Sequence, residues 1–157
     1  MNWTPMATIL TPGKQGNASI AHVTVSLDAS MFTALRPGEY VPEGTYAQLR
    51  VGRTLMMSDT SMERVTNFEV LRCSHGDVLI AGLGLGMILV PILAKPEVTK
   101  VLVLEKYQDV IDLVLPQLRA KLPPEHFAKL TVQCCDVLEW LPPKGLTWDT
   151  IYQETHR

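Results

Sequence analysis

Three glycines at alternate positions, Gly82, Gly84 and Gly86, stand directly behind the apolar run 78–81 (VLIA). No other feature of the chain narrows its possible folds so far. A short, wholly apolar run fits a central parallel strand covered on both faces. A glycine turn leading out of it permits backbone conformations that a Cβ would forbid. The first glycine allows a tight turn, the second lets ligand atoms approach the main chain, and the third lets a helix begin close to the sheet. The wider stretch 78–94 holds 17 residues, with three glycines and Pro91 inside it. A membrane-spanning helix needs about 20 apolar residues. Two elements joined by a turn explain the stretch better, and no membrane role is expected.

The pattern on the carboxyl side repeats that unit. Residues 87–93 are expected as a helix, 101–104 (VLVL) as a second buried strand, and 109–121 as a helix with Ile111, Val114, Leu115 and Leu118 inward. Residues 130–133 read as a third strand, 137–141 as a short helical turn and 149–152 as a fourth strand. Pro91 and Pro116 fall inside the two helices, where proline costs ~3 kcal/mol, so each helix is expected to be short or kinked. Alternating strands and helices point to an α/β fold with parallel strands and right-handed crossovers.

The amino-terminal part differs in texture. Residues 1–18 hold Thr4-Pro5, Thr11-Pro12-Gly13 and Gly16-Asn17 and read as a flexible arm. Residues 19–57 read as a small antiparallel β unit, with strands over 20–27, 46–51 and 53–57. In the first of these, Ala21, Val23, Val25 and Leu27 form the expected apolar face. From Ser58 onward Met62, Val65, Phe68 and Leu71 recur at helical spacing behind the potential caps 58–61. That segment opens the third expected unit, 58–157.

Two acids give the glycine turn a chemical context. Glu105 lies 23 positions after Gly82, at the end of the second strand. An acidic side chain there can accept hydrogen bonds from both hydroxyls of a ribose, although a solvated glutamate capping the next helix would also fit. Asp136, after Cys134-Cys135 at the end of the third strand, stands within reach of an adenine amino group or serves as an N-cap for 137–141; one aspartate can do both. NAD is an alternative ligand, against which stands Met87 where a third small residue belongs. With 14 Lys+Arg against 16 Asp+Glu, the net charge of −2 lacks the basic footprint of a nucleic-acid binder. The four histidines show no metal-ligand spacing, so no metal is expected. Three cysteines make no even disulfide framework, which suggests a reducing, cytoplasmic setting.

These residues resemble class I S-adenosylmethionine-dependent methyltransferases, and within them the spermidine synthase-like branch, over about 53–152. The resemblance implies a Rossmann-like three-layer αβα sandwich with strand order 3-2-1-4. GDVLIAGLGLGM resembles the first family motif, which implies that Gly82, Leu83, Gly84, Gly86 and Met87 face the methionine part of the cofactor. VLVLEKYQDVIDLV resembles the second, implying that Glu105 holds the ribose hydroxyls with Lys106, Tyr107 and Val110 near the adenosine. TVQCCDVLEWL resembles the third, implying that Asp136 and Val137 frame the adenine. Asn67 is carried over as a contact for the ligand's amino acid end. TWDTIYQE resembles the fourth-strand motif, whose end faces the reacting centre, so an acid or base is sought near 153–156. Ile80 stands where the family usually has an acid, and strands five to seven are missing from this sequence. The expected function is therefore methyl or aminopropyl transfer from S-adenosyl-L-methionine to a small molecule. The alternatives are a non-catalytic or partner-dependent nucleoside-binding protein and an enzyme that cleaves S-adenosyl-L-methionine itself. An open fourth-strand edge predicts a homo-oligomer that covers it.

Overall fold

The computed structural model describes residues 3–36, 38 and 40–153. Two four-stranded sheets share one apolar core. The first is antiparallel and made of β1 (Gly13–Gln15), β2 (Ala18–Val25), β3 (Gly44–Val51) and β4 (Thr54–Ser58), in that order. The second is parallel and made of β5 (Gly76–Ala81), β6 (Val98–Glu105), β7 (Leu130–Cys134) and β8 (Thr150–Gln153), ordered β7-β6-β5-β8. A parallel sheet with a glycine turn at the carboxyl end of its first strand is compatible with a Rossmann-like arrangement.

The helices are α1 (Leu27–Ala34), α2 (Ser61–Thr66), α3 (Phe68–Cys73), α4 (Leu89–Leu93), α5 (Gln108–Lys121) and α6 (Pro124–Phe127). Helix α5 touches β6 and β7 on one side and β1 and β2 on the other, so it forms the layer between the two sheets. Its apolar stripe, with Val110, Ile111, Val114 and Leu118 buried, is what both sheets cover. It continues through Pro116 to Lys121, because burial of Leu113, Val114 and Leu118 on either side of the proline outweighs one lost hydrogen bond. Helix α4, by contrast, is only five residues long around Pro91.

Several expectations are corrected by the packing. The flexible arm over 1–18 does not hold for its described part. Met6 and Leu10 are fully buried, a 3-10 turn spans Met6–Thr8, and β1 pairs with β2. Trp3, Ala7 and Ile9 pack against the same core, and the Met6, Thr11 and Asn17 N–H groups donate to Asp59, Gln117 and Asp109. The phase of β2 is also reversed: Ala18 and Ile20 face the core, while Ala21 and Val23 are exposed. His22 shares the inward face and its Nε2 lies 2.8 Å from the Leu10 carbonyl oxygen. Both faces of this strand carry apolar residues, so alternation fixed the period but not the side. Helix α1 was not expected at all; Ser26 caps it by accepting from the Ala29 N–H.

The expected helix through Met62, Val65, Phe68 and Leu71 is broken at Asn67 into α2 and α3. Only Leu71 is buried; the other three are exposed. The Asn67 amide donates to the Glu63 carbonyl and accepts from the Tyr152 hydroxyl, a competition with the backbone that ends helices. The short helical turn expected over 137–141 is a hydrogen-bonded turn over 137–139.

Candidate functional site

A cavity of about 400 Å³ opens at the carboxyl ends of β5, β6, β7 and β8. Of the residues anticipated from the sequence, Gly82, Gly84, Glu105, Lys106, Tyr107, Asp136 and Val137 line it. Val110, from the first turn of α5, lines it as well. Ligands of open α/β sheets bind outside the carboxyl ends of the strands, and the topology delivers these side chains there.

Glu105 is the centre of the arrangement. It is 6% exposed, and each of its carboxylate oxygens accepts one backbone N–H. Oε2 accepts from Leu83 at 2.8 Å and Oε1 from Tyr107 at 2.9 Å. One side chain thus ties the glycine turn to the start of α5. An ionised carboxylate offers about four acceptor positions, so roughly two remain for a ligand.

The glycine turn is satisfied mostly from within the protein. The Gly82 N–H donates to the Leu104 carbonyl at 2.7 Å, and the Gly86 N–H to the Leu83 carbonyl at 2.9 Å. The Leu85 N–H donates to Met57 Sδ at 3.3 Å. This last bond fastens β4 of the antiparallel sheet to the turn. Gly86 serves packing rather than ligand approach. Its φ is +77°, and a Cβ there would come within 2.8 Å of Leu118 Cδ1. Leu83 and Met87 are buried in the core cluster and do not line the cavity. Asn67 is also absent from the lining; it is buried between α2 and α3, bonded to Glu63 and Tyr152.

At the β7 side, Lys106 Nζ and Asp136 Oδ2 form an ion pair at 2.9 Å. Asp136 Oδ1 accepts from the Leu138 N–H at 3.0 Å, so this residue does cap its own turn. The hydrogen bond from Lys106 lowers the Asp136 pKa below the usual carboxylate value, and the same bond raises that of Lys106. Cys135, also on the cavity wall, has its thiol pKa raised by burial, which disfavours the thiolate a nucleophile needs.

Sequence reasoning missed the wall contributed by the antiparallel sheet. Leu49, Val51 and Met56 line the cavity although they lie far upstream of every motif. It also missed Asp59, which accepts from the Met6 N–H at 2.6 Å and the Ala47 N–H at 2.7 Å in full burial. Gln153 ends β8 on the cavity rim, whereas 154–156 lie outside the described residues. Among the described residues no group of three or more His, Cys, Asp or Glu side chains is placed to hold a metal, and no helix is long and apolar enough to cross a membrane.

No family model matches the chain, and no curated protein does. Among solved structures it is similar to a dimethyladenosine transferase from Plasmodium falciparum, with 19% identity and a TM-score of 0.47. That match covers 59% of this chain and 32% of the other. It is also similar to the methyltransferase domain of bacterial CtHen1-CN, with 14% identity, a TM-score of 0.44, and coverage of 58% and 46%. The chain therefore spans less than half of either protein, and the likeness is one of partial chain trace only.

Proposed function

We propose that the cavity binds the adenosine part of S-adenosyl-L-methionine and that the protein takes part in methyl transfer. The observation that carries this reading is Glu105: a buried carboxylate with two acceptor positions used by backbone amides and about two left, at the end of the second parallel strand. Two vicinal ribose hydroxyls are the matching donors. Asp136 would accept from an adenine amino group, Val110 and Val137 would pack on the purine, and Gly82 and Gly84 would border the methionine part. When bound, the sulfonium supplies a methyl group whose bond to sulfur breaks, the electron pair staying on sulfur, as a nucleophile bonds to the carbon.

The same turn argues against a dinucleotide. A pyrophosphate needs several free N–H groups at a helix N-terminus. Here Gly82, Leu83, Leu85 and Gly86 already donate to protein atoms, and the helix that follows has five residues. A nucleoside without phosphates suits the site better.

Methyl transfer is preferred to aminopropyl transfer because the cavity's carboxylates, among the described residues, are Glu105 and Asp136, both engaged. Positioning supplies most of the catalysis such a reaction needs. Calorimetric titration with S-adenosylhomocysteine tests the reading, with saturable binding expected; no binding would sink it. Binding without turnover across acceptors would favour a non-catalytic nucleoside-binding role. Self-association along the outer edge of β8 is likewise proposed, since among the described strands β8 pairs with β5 alone and ends the sheet. Sedimentation as a clean monomer would overturn it.

A further inference from the structure

The two sides of the cavity differ in chemistry, and the difference bears on what else it admits. On the β6–β7 side stand Glu105, Lys106 and Asp136. On the antiparallel-sheet side stand Leu49, Val51 and Met56, with no charged group among them. Met57 Sδ, bonded to the Leu85 N–H, holds that sheet against the glycine turn at the end of β5. Since β5 and β7 are separated by β6, and strands lie about 4.8 Å apart, the apolar wall is anchored roughly 10 Å from β7, the strand that Asp136 follows.

This wall is a built feature. Between β3 and β4 the register runs Leu49↔Met57 and then Arg50↔Leu55, which leaves Met56 as the extra, unpaired residue of a β-bulge. A bulge re-aims a side chain that regular alternation would send to the other face. Here it lets Met56 join Leu49 and Val51 on the cavity, while Met57 stays buried against the turn.

We propose that the wall of Leu49, Val51 and bulged Met56 receives an uncharged, apolar acceptor, so that the substrate class is an apolar molecule bearing a nucleophile and not a cationic amine. This rests on the adenosine reading above. In that reading two backbone amides and the ribose hydroxyls take up Glu105, and Lys106 pairs with Asp136, so an ammonium beside this wall would lose hydration with no free carboxylate to replace it. A flexible thioether, by contrast, adapts to a planar or branched apolar group.

The test uses three nucleosides with one core: 5′-methylthioadenosine, 5′-benzylthioadenosine and 5′-(3-aminopropylthio)adenosine. Calorimetry on the wild type should show the benzyl compound binding about 10-fold more tightly than the aminopropyl compound, the scale of one apolar group in an apolar pocket. In Met56→Glu the ratio of those two affinities should fall at least to unity. A ratio within one variant is insensitive to partial loss of folded protein. An aminopropyl compound that binds wild type as well as the benzyl compound overturns the proposal, as does a benzyl preference untouched by Met56→Glu. Failure of 5′-methylthioadenosine itself to bind would instead strike the adenosine reading on which the proposal stands.

Discussion

The two inner strands of the parallel sheet and its two outer strands obey different rules. In β5 and β6 the carboxyl-terminal residues, 78–81 and 103–105, are buried, whereas β7 and β8 hold only half-buried and exposed residues. The site spans both regimes. Its inner polar group, Glu105, is locked by two backbone amides in a nearly dry setting. Its outer one, Asp136, is held by a solvent-washed lysine and a turn amide. Buried polar groups are costly to leave unpaired, while exposed pairs contribute little. The inner half of the site should therefore couple ligand binding to stability, and the outer half should tune recognition alone.

The sharpest way to break this comparison uses one isoleucine from each regime. Ile80 on β5 is 1% exposed, and Ile80→Ala should cost about 3–4 kcal/mol in chemical denaturation. Ile151→Ala on β8 should stay within about 0.5 kcal/mol of wild type. Equal losses would mean that the face of β8 that carries Ile151 is packed in solution, beyond any pairing of its edge. Glu105→Ala comes next: orphaning the Leu83 and Tyr107 amides should cost about 2–3 kcal/mol and weaken S-adenosylhomocysteine about 100-fold. Calorimetry and thermal melts together read both losses, and a binding loss without a stability loss would contradict the locking role.

Gly86→Ala should cost about 2 kcal/mol, combining a left-handed backbone with the approach to Leu118. Gly52→Ala, also at positive φ (+59°) but with nothing within 4 Å, should cost about 1 kcal/mol. The difference isolates the contact between the glycine turn and α5. The smallest effect belongs to the Lys106–Asp136 pair. Because the folded-state pKa of Asp136 is lowered, its contribution is present above the ordinary carboxylate value near about 4 and is lost as pH falls through the lower folded value. Carboxyl-carbon titration by NMR should show the Asp136 midpoint rising in Lys106→Met. An unmoved midpoint would remove the ion pair from the account.

Much of the inner regime was legible in the sequence. Two apolar runs, the glycines between them and Glu105 form a local unit, and local spacing dictates strand, turn and strand. The outer and upstream parts were less so. The set Met62, Val65, Phe68 and Leu71 had helical spacing, yet Asn67 met a hydroxyl on β8, 85 positions away, and the helix broke. Asp59 stands among potential helix caps; besides Arg64 close by in the chain, it accepts from the Met6 and Ala47 backbone, 53 and 12 positions away, which no local pattern reveals.

By itself the sequence determined which segments would be strands of a parallel sheet and which residues would stand at their ends, since period and turn chemistry are short-range properties. Tertiary structure alone decided which of those residues meet. It buried Leu83, Met87 and Asn67 away from the cavity, turned the Ala18–Ile20 face of β2 inward, and set Leu49, Val51 and Met56 against a glycine turn in another sheet. Packing between distant segments chooses among faces that local periodicity leaves equivalent, and a cavity is made of such choices.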